Sequence, residues 1–197
     1  MRRWFLLVVG LQLFFLLAEA GSYEVRIRRS PVILLKTEPV DPRSLFMGNY
    51  MSLGYEISTL NLSKVNHDPQ VENASWGDTV YVTLTPAKPW ARLDSVSAHP
   101  PAPRPGRVYL RGKVQWVHAY ASGATFRPGV PPPGPPEIRV SYRLERFYIP
   151  ESAQEQVQRL TWGGQRRQPV ITVEVSVLGD GEAVIRRVLV DGKPLVF

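Results

Sequence analysis

The feature that most constrains this chain is an alternation of apolar and polar residues that recurs from residue 32 towards the C-terminus. In "EIRVSYRLE" (137–145), it predicts that four side chains share one face: Ile138, Val140, Tyr142 and Leu144. A period of two residues is typical of a half-buried β-strand. The other predicted strands are "VILLK" (32–36), "YMSLGYEI" (50–57), "TVYVTL" (79–84), "RVYLRGKVQWVHAY" (107–120), "VITVEVSV" (170–177) and "AVIRRVLV" (183–190). The sequence therefore predicts a mainly β protein with antiparallel sheets, arranged as a sandwich or an open barrel.

Turn and helix patterns separate these predicted strands. The segment 179–181, Gly-Asp-Gly, lies between the last two and predicts a β-hairpin. Gly112 lies inside a strand pattern and predicts a β-bulge. One short helix is predicted at "ESAQEQVQRL" (151–160), which begins with a capping box. The proline-rich segments 99–106 and 127–136 are interpreted as stiff connections between strands, with polyproline ligands as the alternative.

The N-terminus carries a hydrophobic segment. Residues 4–18 contain a single polar side chain and follow two arginines. As a helix they cover roughly 22 Å, and extension through Ala20 approaches the ~30 Å hydrocarbon core of a bilayer. A retained anchor and a signal peptide cleaved after Ala20 both fit, since an Ala-Glu-Ala cleavage pattern ends there. In both cases the arginines and the free amine hold the N-terminus in the cytoplasm, so residues 21–197 lie outside.

Composition restricts the chemistry. The chain contains no cysteine, which excludes disulfides, thiolate metal sites and cysteine nucleophiles. The formal net charge is +7; two arginines and one glutamate in residues 1–20 contribute +1, which leaves +6 for residues 21–197. A positive charge favours anionic partners such as lipid headgroups, acidic polymers or nucleic acid. The arginines alternate with acids, as in "RLER" (143–146), which indicates a solvated strand face and argues against a nucleic-acid surface.

A glycine-led motif stands directly before the strand pattern of residues 50–57. Gly48 can adopt a positive φ and Asn49 tolerates the left-handed region, so together they predict a sharp turn into a strand. Leu53 and Tyr55 then lie on one face of that strand, and Tyr50 points the other way. A lone glycine before a strand lacks the repeated backbone donors of a phosphate-binding loop. We therefore predict a structural role for these five residues.

The same string, "GNYMSLGY" (48–55), resembles the signature of the GDYXXLXY family of bacterial proteins, with Asn49 where the family name has aspartate. "PVDPRSLFMGN" (39–49), "YRLERFYIPE" (142–151) and "GEAVIRRVLVDGKPL" (181–195) are similar to other segments of that family. The resemblance implies an envelope protein kept on its N-terminal helix, without an established activity, and often encoded beside multi-pass membrane proteins. A turn role of the motif is compatible with Asn49, and this favours the structural interpretation over a role that depends on the charge of an aspartate.

Catalytic and metal-binding arrangements find little support in the sequence. A serine/lysine peptidase would need a serine nucleophile and a lysine base, and the candidates are Ser44, Lys88 and Lys113. The three histidines are scattered and predict no metal site: His67, His99 and His118. Glu145 lies between arginines and predicts a cross-strand ion pair; a carboxylate pair with Glu137 or Asp180 is the alternative.

The sequence thus divides into residues 1–20, an anchor or signal peptide, and residues 21–197, a β-rich extracytoplasmic domain with a division at about 31–98 and 107–197 as an option. We predict a membrane-anchored, non-enzymatic accessory or binding subunit that acts with a multi-pass membrane protein and uses no cofactor. It is expected in the cell membrane, or secreted or periplasmic if cleaved at Ala20. The alternatives are a module that binds envelope polymers or anionic lipids, and a serine/lysine peptidase-like hydrolase.

Overall fold

The computed structural model describes residues 2–38, 50–118, 137–150 and 169–195. A long helix, α1, spans Arg2–Arg29, and short 3₁₀ helices span Glu56–Ser58 and Pro69–Asn73. The strands are β1 (Val32–Lys36), β2 (Tyr50–Ser52), β3 (Thr59–Asn61), β4 (Asn66–His67), β5 (Thr79–Thr85), β6 (Arg92–Ser97), β7 (Val108–His118), β8 (Glu137–Ser141), β9 (Arg146–Tyr148), β10 (Ile171–Val177), β11 (Ala183–Val190) and β12 (Lys193–Pro194). The helix predicted at 151–160 and the second proline-rich segment lie outside the described residues.

The strands form three sheets. One has the order β1-β10-β11-β12, one pairs β2 with β9, and the largest has the order β3-β8-β7-β5-β6-β4 and curls into a half-barrel. All strand pairs are antiparallel except β4 with β6. Both larger sheets combine strands from before residue 98 and after residue 107. The prediction of a mainly β, antiparallel fold is therefore confirmed.

The buried core follows the predicted alternation. The four inward residues of segment 137–145 are all at most 4% exposed. Both larger sheets contribute to one apolar cluster, which includes Ile33, Leu35, Val82, Leu84, Leu110, Val114, Val173 and Val175. Burial of these side chains is the main favourable term in folding, at roughly 25 cal/mol per Å² of apolar surface.

The motif segment departs from the single strand predicted for residues 50–57. Only β2 is a strand, although Met51, Leu53, Tyr55 and Ile57 are all buried as predicted. The strand ends after Ser52 because the backbone hydrogen-bonding partner changes along the segment. β2 pairs with β9, the Leu53 amide donates to the Glu145 carbonyl at 2.8 Å, and Tyr55 forms an isolated bridge with Thr37.

The prediction of a bulge at Gly112 is wrong. Gly112 pairs regularly with Val80, and the irregularity in β7 falls between Val114 and Trp116. A Cβ at position 112 would overlap Cγ1 of Val140, which points into the space above this glycine. Gly112 is thus required for close packing between β7 and β8, the second common reason for a glycine inside a strand.

The predicted hairpin joins β10 and β11. Gly181 adopts a φ of +82° at its turn, and the Leu178 amide donates to the Glu182 carbonyl at 2.7 Å. Further along, Glu174 faces Arg187 and Val175 faces Ile185, so Arg186 is the extra residue of a β-bulge. A bulge re-aims a side chain out of the regular alternation, and Arg186 uses this freedom to contact α1.

Helix α1 continues past the predicted boundary at Ala20 without interruption. From Trp4 to Leu17, all its large apolar side chains except Val9 are more than half exposed. The helix is long and apolar enough to cross a membrane, and none of the segment Arg3–Arg29 that meets this criterion is buried against the rest of the chain. In water such a surface is unfavourable, which indicates a membrane span or a signal sequence.

Candidate functional site

Two buried tyrosines connect the motif segment (50–57) with the segment 142–151, which also resembles the family. The Tyr55 hydroxyl donates to the Leu144 carbonyl at 2.7 Å, and the Tyr142 hydroxyl donates to the Ile57 carbonyl at 2.6 Å. Each segment therefore supplies one tyrosine and one carbonyl acceptor to the other. Because both hydroxyls are buried and paired, neither leaves an unsatisfied donor in the core.

Burial raises the pKa of Tyr55 and of Tyr142 well above the ordinary tyrosine value, and the nearby negative charge of Glu145 acts in the same direction. Removal from water disfavours the phenolate, so both side chains stay neutral hydrogen-bond donors throughout the physiological pH range. This excludes them as general bases and fits a structural role.

The remaining described motif residues occupy opposite faces of the segment. Leu53 is buried, whereas Tyr50 is only partly covered. The Tyr50 ring lies 6.0 Å from the Tyr148 ring, and the Arg146 guanidinium lies over Tyr50 at 5.3 Å from the ring centroid. Gly48 and Asn49 lie outside the described residues, so the turn assigned to them stays a prediction.

A cleft of about 480 Å³ opens beside the motif, and we call it the motif cleft. Its walls include Leu53, Gly54, Gln115 and three arginines: Arg139, Arg143 and Arg146. The Ser58 hydroxyl also lines it, is buried, and has no hydrogen-bond partner among the described residues. Glu145 is the acid in the lining, and the three guanidinium groups outweigh its charge, so the cleft can hold a small anion.

A tight turn between β8 and β9 brings Arg143 and Arg146 to the cleft, and Arg139 reaches it from β8. Arg143 adopts a φ of +63°, which is uncommon for a residue with a side chain. The Glu145 carboxylate accepts a hydrogen bond from the Tyr142 amide at 2.6 Å and so closes the turn between β8 and β9. The cross-strand ion pair and the carboxylate pair expected for Glu145 are both absent among the described residues, because its carboxylate serves the turn.

The described residues offer no nucleophile paired with a base. No serine hydroxyl in this part of the chain is hydrogen-bonded to a lysine or histidine side chain, and Ser44 lies outside it. Lys113 donates to the Gly77 carbonyl at 2.9 Å. His67 contacts the Glu72 carboxylate at 3.0 Å and the Val65 carbonyl at 2.9 Å. These polar groups are engaged in turns and local structure.

The end of α1 is fastened to the β domain by Arg186. Its Nη2 donates to the Ile27 carbonyl at 3.1 Å and to the Arg28 carbonyl at 3.5 Å, while its Nε donates to the Ser176 hydroxyl at 2.6 Å. The last carbonyls of a helix lack partners within the helix and carry a partial negative charge, so a guanidinium is a suitable cap. The contact was not predicted, although the adjacent arginines 186 and 187 interrupt the alternation of β11 and could have indicated the bulge.

A second, larger cleft lies at this junction, and we call it the junction cleft. It has a volume of about 1020 Å³. Its walls come from the end of α1, from the proline-rich connection between β6 and β7, and from the β10–β11 hairpin. Four arginines line it: Arg26, Arg29, Arg104 and Arg107. Sequence reasoning missed this cleft because its walls are far apart in the chain.

The two clefts lie at opposite ends of β7. Val108 lines the junction cleft and Gln115 lines the motif cleft. Seven residues of strand separate them, which corresponds to roughly 23 Å at about 3.3 Å per residue. The side of the domain that carries the motif is therefore distant from the end of α1.

Comparison with protein families agrees with the resemblance seen in the sequence. The family described as "GDYXXLXY protein" matches residues 12–188, which include part of α1, strands β1 to β10 and most of β11. Searches of curated proteins and of solved structures gave no match. On the extent of the family match, the chain belongs to the GDYXXLXY protein family.

Proposed function

We propose that the protein is a membrane-anchored, non-enzymatic accessory or binding subunit, with its β domain outside the cytoplasm and a multi-pass membrane protein as its partner. The observation that carries this proposal is the attachment of α1: an exposed apolar helix whose last turn is capped by Arg186 of the β domain. The cap lies beyond Ala20 and fixes the end of the helix to the β domain; the support for a retained span is that the apolar helix runs without interruption from the N-terminus to this cap.

The length of α1 supports a span. The twenty residues Trp4–Tyr23 cover about 30 Å as a helix, which equals the hydrocarbon thickness of a typical bilayer. Trp4 and Tyr23 then lie at the two interfaces, where aromatic side chains are enriched. Arg26 follows one turn later and its guanidinium contacts the Tyr23 ring at 5.4 Å from the centroid.

The connection between helix and domain is short. Only Ser30 and Pro31 separate α1 from β1, and the Val177 amide donates to the Pro31 carbonyl at 2.9 Å. Two residues reach at most about 7 Å, so a retained helix holds the domain at the bilayer surface. Such a position favours a partner in the same membrane over one that diffuses freely.

A second candidate function is the binding of an acidic envelope polymer. The motif cleft favours it, because Arg139, Arg143 and Arg146 line it together. Carboxylate or phosphate groups of a polymer would suit these donors. The peptidase alternative has no comparable support from the described residues.

The absence of cysteine makes the anchoring test simple. Three arginines follow the span and two precede it. Because positive residues favour the cytoplasmic side of a span, the arginine numbers do not by themselves fix the orientation of the helix, and the orientation is tested first. The exposed Lys64 is changed to cysteine, and intact, outer-membrane-permeabilised cells of the native host are treated with an impermeant maleimide. We expect labelling without lysis, a mature N-terminus near Met1, and retention in the membrane after carbonate extraction. Labelling only after lysis, or a mature N-terminus at Gly21, would contradict the proposal.

A further inference from the structure

The junction cleft has the position, charge and lining of a site for a membrane lipid. The geometry points to an anionic phospholipid as its ligand, with the phosphate bound by arginines and the glycerol region against the apolar wall. This inference rests on the proposed membrane anchoring and adds the chemical class of a ligand to it.

The height of the cleft above the bilayer supports a lipid. With Tyr23 at the interface, Val25 and Arg29 lie two and six residues further along the helix, or about 3–9 Å. The headgroup layer on each side is roughly 5–7 Å thick, from the difference between total and hydrocarbon thickness. Val25, Arg26 and Arg29 all line the cleft. The first two lie within this layer, and Arg29 lies about 2 Å beyond it, a distance that a long arginine side chain can span.

The charge of the cleft matches a phosphate. Arg107 is paired with Asp94 at 2.7 Å, and Asp180 lies 3.8 Å from Arg111. Arg29 and Arg104 have no carboxylate partner among the described residues and line the cleft from different segments. A guanidinium matches a phosphate group with two parallel hydrogen bonds, which makes these two arginines the expected phosphate ligands.

The rest of the lining favours an amphiphile over a small hydrated anion. Apolar side chains from all three walls contribute, among them Val25, Pro103, Pro105, Val108 and Leu178. A volume of about 1020 Å³ exceeds what a phosphate group alone requires. Apolar walls with a few positioned polar groups are typical of ligand sites of this size.

The test uses the full-length protein in nanodiscs that contain equal amounts of phosphatidylcholine and phosphatidylglycerol. After release in a mild detergent, bound lipid is counted by native mass spectrometry. The double variant Arg29→Gln/Arg104→Gln removes the expected phosphate ligands. Arg28→Gln/Arg92→Gln is the matched control, because it removes the same charge at two exposed arginines that line neither cleft. Ala102→Trp is a third variant that fills the junction cleft and keeps every charge.

We expect the wild type and the control to retain phosphatidylglycerol over phosphatidylcholine, and this preference to fall roughly fivefold in the two junction-cleft variants. Equal preference in all four proteins would overturn the inference. So would an equal loss in both double variants, which would indicate general electrostatic attraction. Full displacement of the lipid by soluble glycerol 3-phosphate would assign the cleft to a phosphate ester instead.

Carbonate extraction of the same preparations separates the two proposals. Release of the protein from the membrane would mean that the anchoring itself fails. A protein that stays in the membrane and shows no anionic-lipid preference would leave the anchoring intact and refute the lipid site. All four arginines changed in the double variants are exposed, so matching melting temperatures are expected and serve as the folding control.

Discussion

The polar side chains near the two ends of β7 differ in their burial and in their partners. At the Gln115 end, the hydroxyls of Tyr55 and Tyr142 are buried and each is satisfied by a backbone carbonyl. At the Val108 end, Arg29 and Arg104 face an open cleft without carboxylate partners among the described residues. Buried, paired groups hold a structure together, whereas exposed, unpaired charges are available to a ligand. The comparison supports a scaffold role for Tyr55 and assigns the proposed lipid site to the other end; the arginines of the motif cleft are the basis of the second candidate function.

The largest expected effect on stability comes from the removal of the motif tyrosine Tyr55. Tyr55→Ala should destabilise the fold by about 3–5 kcal/mol, because it leaves a cavity and an unpaired Leu144 carbonyl. Tyr55→Phe keeps the ring and should cost about 1–3 kcal/mol. Urea unfolding of the full-length protein in detergent, followed by circular dichroism, measures both changes.

Tyr148→Ala is the matched control for Tyr55, since this side chain is 70% exposed and should cost less than about 1 kcal/mol. Unchanged stability of Tyr55→Ala together with a lost cellular function would mean that the motif is a contact site and that the comparison drawn here is wrong.

The packing of β7 against β8 offers the next largest effect. Gly112→Ala introduces a methyl group where Val140 already lies, so a loss of about 1–3 kcal/mol is expected. In the double variant with Val140→Ala, part of this loss should be recovered, because the second change removes the clashing methyl groups. Strictly additive losses in the double-mutant cycle would refute the packing explanation.

The contact between Arg186 and the end of α1 is tested by its effects on stability and on proteolysis. Arg186→Gln should lower stability by only about 0.5–1.5 kcal/mol, since the side chain is exposed and its bonds are partly replaced by water. Loss of the cap should nevertheless speed tryptic cleavage after Arg29 several-fold. Arg187→Gln is the control, because that arginine pairs with Glu174 at 2.7 Å and does not contact the helix. Equal cleavage rates in the two variants would show that Arg186 does not hold the helix end.

The smallest effect concerns pH. Hydrogen bonds to Glu72 and to the Val65 carbonyl raise the pKa of His67. A folded-state pKa above the unfolded value of about 6.5 means that the contribution is fully present below pH ~6.5 and is lost as the pH rises through the folded value. The pair is partly exposed, so the expected contribution is below about 1 kcal/mol. The destabilisation caused by His67→Gln should therefore be larger at pH 5.5 than at pH 8.5; the opposite order would contradict this assignment.

The sequence predicted the elements in which burial and alternation coincide. Ile138, Val140, Tyr142 and Leu144 are inward because one face of their segment meets the core. β6 escaped prediction, because "RLDSVS" (92–97) is only partly buried and carries little apolar periodicity. Its position in the sheet is determined by hydrogen bonds to β5 and β4, which are contacts that a local pattern cannot contain.

For the site residues, too, the sequence predicted burial but not the tertiary contacts. Tyr55 and Leu53 were assigned to an inward face correctly, yet the carbonyl that Tyr55 bonds lies 89 positions away in the chain. The junction cleft combines segments around residues 25–31, 101–109 and 177–180. The patterns in the last two predicted a stiff connection and a hairpin turn, and none of the three predicted a binding cleft. The periodicity of a sequence predicts which face of a strand or helix is buried. It does not predict which distant elements come into contact, because this depends on the tertiary fold.

In the proposed arrangement the junction end of β7 lies at the membrane and the motif end lies away from it. A single cysteine, at Ala102 in the junction cleft or at Gln115 in the motif cleft, is labelled with a fluorophore in the otherwise cysteine-free protein. The protein is then reconstituted in vesicles with nitroxide-labelled headgroups. We predict strong quenching from position 102 and weak quenching from position 115, since roughly 23 Å of strand separates the two ends. Equal quenching from both positions, or stronger quenching from position 115, would contradict the account.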